Sequence, residues 1–363
     1  MKKILLIINV LSIAIMCMEP DFLTLCEADE KNRTPKEQLV FLTWSEYMHP
    51  DLITEFESTY NADVKEIYYE TDELKDEMVI FNKGQGYDIV LGSGESLVPY
   101  VKMNLLAPLG PKDVPNIKYI DPRWLNAYPQ VVGYAVPYLW GTLGIVYRKD
   151  IVKEEVMNWK QLFQPPQHLK GRIIMINDSR DTINAALKCS GYSINSNNLE
   201  HYSEVEKLLL AQKPFVKKYS YIALTDESSL VKGTIWMAMV YNGDGLILQE
   251  KYPHISFVVP KEGTVLWSDY LMVMKSSIHK ELAMKFINFL SEPQNAARLA
   301  AYLNYATPNK GAQKYLSPSH LNNPLIYPEK DILEKSEISS ILPLKIIKKR
   351  NEIFSKLPVN DSD

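Results

Sequence analysis

Aromatic and acidic side chains follow the end of a short apolar segment near the beginning of this sequence. In FLTWSEYMHPDLI, residues 41–53, the apolar run gives way to two aromatic rings, a serine and a glutamate before a helical pattern opens at Pro50. Ring faces attract cations, with a contribution of roughly 0.5–2 kcal/mol each. Carboxylates accept charge-assisted hydrogen bonds from ammonium groups. The segment therefore indicates a site for a positively charged ligand.

The same pattern is repeated further along the chain, in residues 87–96, 172–192 and 235–245, and in residues 265–274 a tryptophan and an aspartate precede an apolar run. In open α/β sheets, strand ends of this kind meet at one edge, which is the usual place for a ligand. The residues that we expect to line the site from this pattern are Trp44, Ser45, Tyr47, Ser93, Glu95, Asp178, Asp181, Tyr241, Asp244, Trp267 and Asp269.

Each of these residues also has a purely structural explanation. Asp178 and Asp181 fit the N-cap and N3 positions of a helix, in the manner of a capping box. The tryptophans would suit a hydrophobic core, and the polar residues that lie near glycines would suit turns. A core or a turn does not explain why all of them fall at strand ends, and this shared position favours the binding site.

The ligand that needs rings, carboxylates and apolar contact together is a slender aliphatic chain with positive ends, a polyamine. Rings remove its methylene groups from water at about 0.8 kcal/mol each, and a hydrogen bond to a charged group contributes about 1.5–3 kcal/mol. A sugar would also stack on rings, but it does not require several carboxylates.

Composition and motifs exclude other classes of function. The chain has 363 residues, enough for two domains, and a formal net charge of −4, whereas a nucleic-acid-binding domain would be basic. Nucleotide-binding and hydrolase motifs are absent, and the six histidines lack the spacing of a metal site. We expect no cofactor, no metal and no enzymatic activity; an enzyme that uses Asp178, Asp181 or Asp269 as acid and base would lack an obvious partner to poise the base.

The N-terminus has the pattern of a secretory signal. Lys2 and Lys3 precede an apolar run over residues 4–18, which is short for a membrane span. We expect residues 1–28 to be removed by cleavage after Ala28, or Cys26 to become a lipid-modified N-terminus. No second long apolar run follows, so we expect the mature chain not to cross a membrane.

Short apolar runs alternate with helical patterns, which predicts α/β layers with mostly parallel strands. Residues 136–148 are expected to form a strand that crosses between two lobes, and Ser291 is expected to be the N-cap of a helix over 293–303. The C-terminal residues LPLKIIKKRNEIFSKLP predict a basic amphipathic helix that ends at Pro358. The other predicted strands are 39–42, 87–91, 172–176, 235–240, 255–259 and 270–274, and the other helices are 51–60, 72–81, 180–189, 203–212 and 280–290.

In order and spacing, the segments FLTWSEYMHPDLI, YDIVLGSG, VPYLWGTLGI, NDSRDTINAALKCSGYS, MVYNGDG, VPKEGTVLWSDYLMV and NYATPN resemble the periplasmic spermidine/putrescine-binding proteins of polyamine ABC transporters. The resemblance implies a two-lobed periplasmic-binding-protein fold of the α/β class, with two mixed sheets flanked by helices, a hinge and an interlobe cleft. By that analogy the first lobe comprises residues 38–141 plus 270–313, and the second lobe comprises 142–269 plus 314–357.

The resemblance also implies roles for individual residues. It makes Trp44, Tyr47, Trp267 and Tyr305 aromatic walls, Ser45 and Ser93 polar contacts, Asp178 and Asp181 the partners of one amine, and Asp269 the partner of the other. The sequence departs from the family pattern at three positions of the site, Glu95, Tyr241 and Asp244. The site therefore combines features of the spermidine and putrescine types and is more acidic than either, which leaves the preferred length of the polyamine open.

The function expected from these residues and this resemblance is that of an exported receptor, monomeric in solution. It would capture spermidine or putrescine between its lobes and deliver it to a membrane ABC permease. Two alternatives remain open at this point. One is a polyamine-sensing subunit of a membrane signalling receptor, and the other is a receptor for another cationic solute such as a basic amino acid, for whose carboxylate Arg180 is the candidate anchor.

Overall fold

A computed structural model describes residues 36–357 of the chain. The predicted signal segment, with Cys26 and Ala28, lies outside these residues. The strands are β1 (Glu37–Trp44), β2 (Ala62–Tyr69), β3 (Ile89–Ser93), β4 (Ala135–Arg148), β5 (Ile173–Met175), β6 (Val216–Tyr219), β7 (Met237–Tyr241), β8 (Ile255–Val258) and β9 (Leu266–Val273). The helices are α1 (Pro50–Tyr60), α2 (Asp72–Phe81), α3 (Val98–Lys102), α4 (Pro122–Leu125), α5 (Lys160–Phe163), α6 (Ser179–Cys189), α7 (Leu199–Gln212), α8 (Asn242–Lys251), α9 (Lys280–Leu290), α10 (Pro293–Leu303), α11 (Pro318–Leu321), α12 (Lys330–Lys335) and α13 (Leu344–Phe354).

The nine strands of the described residues form a sheet in the order β2-β1-β3-β9-β4-β7-β5-β6, with β8 paired to β4. The long strand β4 belongs to two parts of this sheet. Residues 135–142 of β4 pair with β9, and residues 143–148 pair with β7 and β8. We call the part with β1, β2, β3, β9 and residues 135–142 the first half of the sheet, and the remainder the second half.

The prediction of mostly parallel strands is wrong. Parallel pairing occurs between β1 and β3, β5 and β6, and β5 and β7. The pairs β3–β9, β4–β9, β4–β7 and β4–β8 are antiparallel. The reason is that the chain crosses the sheet in β4 and returns in β9, and both of these strands run against their neighbours.

Each half of the sheet has its own hydrophobic core. Phe41, Phe56 and Phe286 pack together beside the first half, where α1 and α9 cover the strands. Trp159 and Tyr202 are fully buried beside the second half, against the face of α13 that carries Ile346 and Ile353. The predicted amphipathic C-terminal helix is thus confirmed, although it ends at Phe354.

Most predicted helices have the expected bounds, and the differences have local causes. Helix α7 begins at Leu199, four residues earlier than predicted, because Asn198 caps it by accepting a hydrogen bond from the Glu200 N–H at 2.9 Å. Ser291 is not the N-cap of α10, a position that Glu292 holds. The Ser291 hydroxyl instead donates to the Ile287 carbonyl at 2.7 Å, at the end of α9.

Strands β2 and β6 were not predicted from the sequence. They are the edge strands at the two ends of the sheet. Buried and exposed positions do not alternate regularly along them, and their exposed residues include charged side chains, so the pattern of a strand is absent. Within the described part of the chain, no helix combines the length and the apolar character that a bilayer crossing requires.

Candidate ligand-binding site

A cleft of about 620 Å³ lies at the ends of strands from both halves of the sheet. It brings together every residue that the sequence analysis assigned to a binding site, although the structure does not test whether each one contacts a ligand. The lining includes Trp44, Ser45, Tyr47, Ser93, Glu95, Asp178, Asp181, Tyr241, Asp244, Trp267, Asp269 and Tyr305.

Strands β1, β3 and β9 place the residues of the first half. Strand β1 ends at Trp44, and the chain then turns through Glu46, which has a φ of 55°. Trp267 and Asp269 are two positions apart in β9 and therefore lie on the same face of the sheet. Ser93, the last residue of β3, is directly opposite Asp269 in the antiparallel pair.

Helix α6 places two acids from the second half. The Asp178 carboxylate caps this helix by accepting hydrogen bonds from the N–H groups of Arg180 at 2.8 Å and Asp181 at 2.9 Å. The capping explanation of Asp178 is thus confirmed, and it is compatible with a position in the cleft. Asp181 lies in the first turn of the helix and accepts a hydrogen bond from the Tyr241 hydroxyl at 2.8 Å.

The aromatic residues form a continuous wall of the cleft. Trp267 lies between Tyr241 and Tyr305, with edge-to-face contacts and ring centroids at 5.9 and 4.8 Å respectively. The ring of Tyr305 in turn contacts Tyr47 at 5.8 Å. Such a wall can cover an alkyl chain along its length, because each contact removes methylene groups from water.

Three of the acids at the cleft share one cation, the Arg180 guanidinium. It lies 2.5 Å from the Asp72 carboxylate, 2.9 Å from Glu95 and 3.7 Å from Asp178. Although burial acts in the opposite direction, Lys75 and Arg180 hold the pKa of Asp72 well below its ordinary value. These three carboxylates therefore already have a counter-ion within the protein.

A second set of three acids has no such counter-ion. No lysine or arginine among residues 36–357 lies within ion-pair distance of Asp181, Asp244 or Asp269. Burial raises the pKa of Asp181 to about 8, and the neighbouring Asp178 adds to the rise. Burial likewise raises the pKa of Asp244 and of Asp269 to about 7. Carboxylates in this position are ready to accept cationic groups from a ligand.

Several residues of the cleft were not predicted from the sequence. Asp72, Tyr69 and Tyr128 also line it, and Asp72 follows β2 as Glu95 follows β3. The position of Asp72 after a strand could have identified it, but the strand concerned, β2, was not predicted from the sequence. Glu95, which was predicted to contact the ligand, lines the cleft, and its carboxylate accepts a hydrogen bond from Arg180.

A two-part mixed sheet with a solute-sized cleft between its parts, lined by rings and uncompensated acids, defines the class of binding proteins for small solutes. Residues 51–326 match the bacterial extracellular solute-binding protein family. The chain belongs to this family, which is a family of solute-binding proteins and not a class of enzymes. The predicted two-lobed binding-protein fold is confirmed by its structural neighbours.

Individual relatives agree with this assignment. The chain is 30% identical to the spermidine/putrescine-binding periplasmic protein of Escherichia coli K12, over 85% of this chain and 87% of that protein. A candidate spermidine/putrescine ABC transporter protein from Listeria monocytogenes is 30% identical, with a TM-score of 0.77 over 89% of this chain and 99% of that one. The spermidine/putrescine ABC transporter substrate-binding protein of Streptococcus pneumoniae is 27% identical, with a TM-score of 0.76 over 89% of this chain and 98% of that one. The resemblance that the sequence motifs indicated is thereby confirmed.

Proposed function

We propose that this protein captures a polyamine, spermidine or putrescine, in the cleft and delivers it to the membrane permease of an ABC transporter. The observation that carries the proposal is the set of three carboxylates without a protein counter-ion, at Asp181, Asp244 and Asp269, beside a continuous aromatic wall. A polyamine supplies ammonium groups for the acids and an alkyl chain for the rings. Relatives named for spermidine and putrescine support the same ligand class.

The two lobes of this receptor would follow the two halves of the sheet. The predicted division placed residues 142–269 in the second lobe, with Trp267 and Asp269 among them. Since β9 pairs from Leu266 onward with strands of the first half, we place the second crossing before Leu266. In this arrangement closure would bring Asp181 and Asp244 of one lobe toward Asp269 of the other.

Further parts of the proposal concern where and how the protein acts. The family and the periplasmic relatives imply an extracytoplasmic location, and we propose cleavage after Ala28 or lipid attachment at Cys26 as the route to it. The protein would act as a monomer and would not turn over its ligand. Transport is favoured over sensing, since the similar proteins reported above are named for transport or periplasmic binding.

A panel of thermal unfolding curves tests the ligand class. The protein, freed of endogenous ligand by unfolding and refolding, would be heated alone and with 1 mM putrescine, cadaverine, spermidine, spermine or arginine. A ligand at about 1,000 times its Kd stabilises the folded state by about 4 kcal/mol. A polyamine that binds with a micromolar Kd should therefore raise the Tm by several degrees at 1 mM. A shift with arginine alone, or no shift with any polyamine, would contradict the proposal.

Gly141 provides a test of the aromatic wall, because the ring of Trp267 rests against it. A Cβ at this position would lie 2.4 Å from Trp267 Cζ2 and 2.2 Å from Asn242 Oδ1. Overpacking of this kind costs about 1–3 kcal/mol, and relief requires both the Asn242 side chain and the Trp267 ring to move. We expect Gly141→Ala to lower the Tm and to weaken polyamine binding about tenfold, a change of about 1.4 kcal/mol in binding, as measured by calorimetric titration.

The matched control is Gly110→Ala. There the nearest neighbour of an added Cβ is Asp113 Oδ2 at 3.6 Å, an ordinary contact distance. Unchanged binding in Gly141→Ala, with the control also unchanged, would show that the position of the Trp267 ring does not affect the ligand.

A further inference from the structure

We propose that Arg180 determines which polyamines the protein prefers, because its guanidinium acts as a built-in cation that occupies Glu95 and Asp178 and leaves the ligand only the carboxylates of Asp181, Asp244 and Asp269. This inference rests on the proposed function and concerns the selectivity of the same site.

The guanidinium of Arg180 lies inside the cleft. The residue belongs to α6, beside the second half of the sheet, and its side chain reaches residues that follow strands of the first half. Its guanidinium donates to Glu95 Oε1 at 2.9 Å and to Asp72 Oδ2 at 2.5 Å. The side chain is about 28% exposed, so it is held inside the cleft rather than in bulk water. A guanidinium in this place fills space that a ligand ammonium group could occupy. It also supplies the positive charge that such a group would bring to the carboxylates.

The three acids around Arg180 differ in whether another cation pairs with them. Asp72 has a cation besides Arg180, the buried Lys75 ammonium at 2.5 Å, and also accepts a hydrogen bond from the Ser93 hydroxyl. For Glu95 and Asp178, Arg180 is the one ion-pair partner found within residues 36–357. Removing the guanidinium would therefore leave two carboxylates of the cleft without a cation. Unpaired charges in such a place are costly unless a cation meets them.

The charge of Arg180 has a consequence for the ligand. With Arg180 present, one of the two negative charges of Glu95 and Asp178 is already compensated, and an additional ammonium group gains less there. Without it, a polyamine that carries one more ammonium group can compensate a carboxylate that a diamine leaves unpaired. Loss of Arg180 is thus expected to shift the preference toward more highly charged polyamines.

The test compares the wild-type protein with Arg180→Met, which keeps the approximate length of the side chain but removes its charge. Calorimetric titration would give the Kd for putrescine, spermidine and spermine in each variant. We expect the ratio of the putrescine Kd to the spermidine Kd to rise at least tenfold in Arg180→Met. The matched control is Arg180→Lys, which keeps a positive charge and should keep the ratio within about threefold of wild type.

Equal ratios in wild type and Arg180→Met would overturn the inference while leaving polyamine binding itself intact. A wild-type protein that binds no polyamine would instead overturn the proposed function, and the inference with it. If Arg180→Met does not fold, a crystal structure of the wild-type protein with spermidine decides: every ligand nitrogen should contact Asp181, Asp244, Asp269 or the rings. A ligand nitrogen within hydrogen-bond distance of the Glu95 carboxylate would contradict the inference.

Discussion

Replacing Asp269 with asparagine is expected to weaken polyamine binding by between about thirtyfold and several thousandfold. The residue is 9% exposed, and no protein cation pairs with its carboxylate among the described residues. A bound ammonium would therefore be its counter-ion. Removing one member of a buried, hydrogen-bonded charge pair costs about 2–5 kcal/mol, and each 1.4 kcal/mol is a factor of ten in Kd. Calorimetric titration of wild type and Asp269→Asn measures the difference directly.

Asp331→Asn is the control for the loss of one negative charge. Asp331 lies on α12 outside the cleft, with a side chain 65% exposed, and its replacement should leave the Kd within about twofold. Thermal unfolding without ligand should show that Asp269→Asn is folded. A folded Asp269→Asn variant that binds polyamines as tightly as wild type would remove Asp269 from the site.

For a ligand whose ammonium groups require one or both of the carboxyls of pKa about 7 to ionise, affinity is expected to rise on the order of 10- to 100-fold between pH 6 and pH 8. Burial raises the pKa of Asp181 to about 8 and that of Asp244 and Asp269 to about 7, so these groups are largely protonated at pH 6 in the empty protein. The ligand amines stay charged over this range, since alkyl ammonium groups such as that of lysine have a pKa near 10.4. Binding must therefore release protons from the carboxylates.

The groups around these three acids decide how far each pKa moves. Besides burial, the neighbouring Asp178 and Glu95 raise the pKa of Asp181, and the Tyr241 hydroxyl and Arg180 oppose the rise. Around Asp269, Asp72 raises the pKa, and the hydroxyl of Tyr47 and the cations Lys75 and Arg180 lower it. For Asp244, Glu46 raises the pKa and the Tyr305 hydroxyl lowers it.

The same pKa values give the sign of the effect on folding. A carboxyl group whose pKa is higher in the folded than in the unfolded state binds more protons when folded, so its contribution to the free energy of unfolding falls as pH rises. For these three acids the fall extends from about pH 4, near their ordinary pKa values, to about pH 8. A bound polyamine counteracts it, and the increase in Tm with ligand should be larger at pH 8 than at pH 6.

Calorimetric titrations at pH 6, 7 and 8, each in two buffers with different ionisation enthalpies, test this prediction. The apparent heat should depend on the buffer at pH 6 and 7, since released protons are taken up by it, and should depend on it less at pH 8. A Kd that stays constant from pH 6 to pH 8, with heats that do not depend on the buffer, would show that the acids are already ionised in the empty cleft.

Residues at the ends of predictable strands could be assigned to the site from the sequence. The apolar runs of β1, β3, β7 and β9 are strong local signals. The side chains that follow β1, β3 and β7 and those at the start of the antiparallel strand β9 come to one edge of the sheet. Asp72 was not assigned to the site in this way. The sequence of β2, ADVKEIYY, is too polar to be recognised as a strand, so the strand that Asp72 follows was not predicted.

The Arg180 network could not be predicted in this way, because it depends on contacts between distant segments. Its partners Glu95 and Asp72 are 85 and 108 residues away along the chain. From the sequence, Glu95 was one more acid available to a ligand, and only the packing of α6 against the cleft gives it a protein cation, which it shares with Asp72 and Asp178. Local patterns thus identify the acids of the site, while long-range packing divides them into paired and unpaired sets.

The most direct test of the account is a calorimetric titration of the ligand-free wild-type protein with putrescine and with spermidine at pH 7.5. We expect one-to-one binding of at least one of them with a Kd in the micromolar range or below, competed by the other polyamine but not by arginine. No measurable binding of either, in protein whose unfolding transition shows that it is folded, would contradict the claim that the unpaired acids and the aromatic wall form a polyamine site.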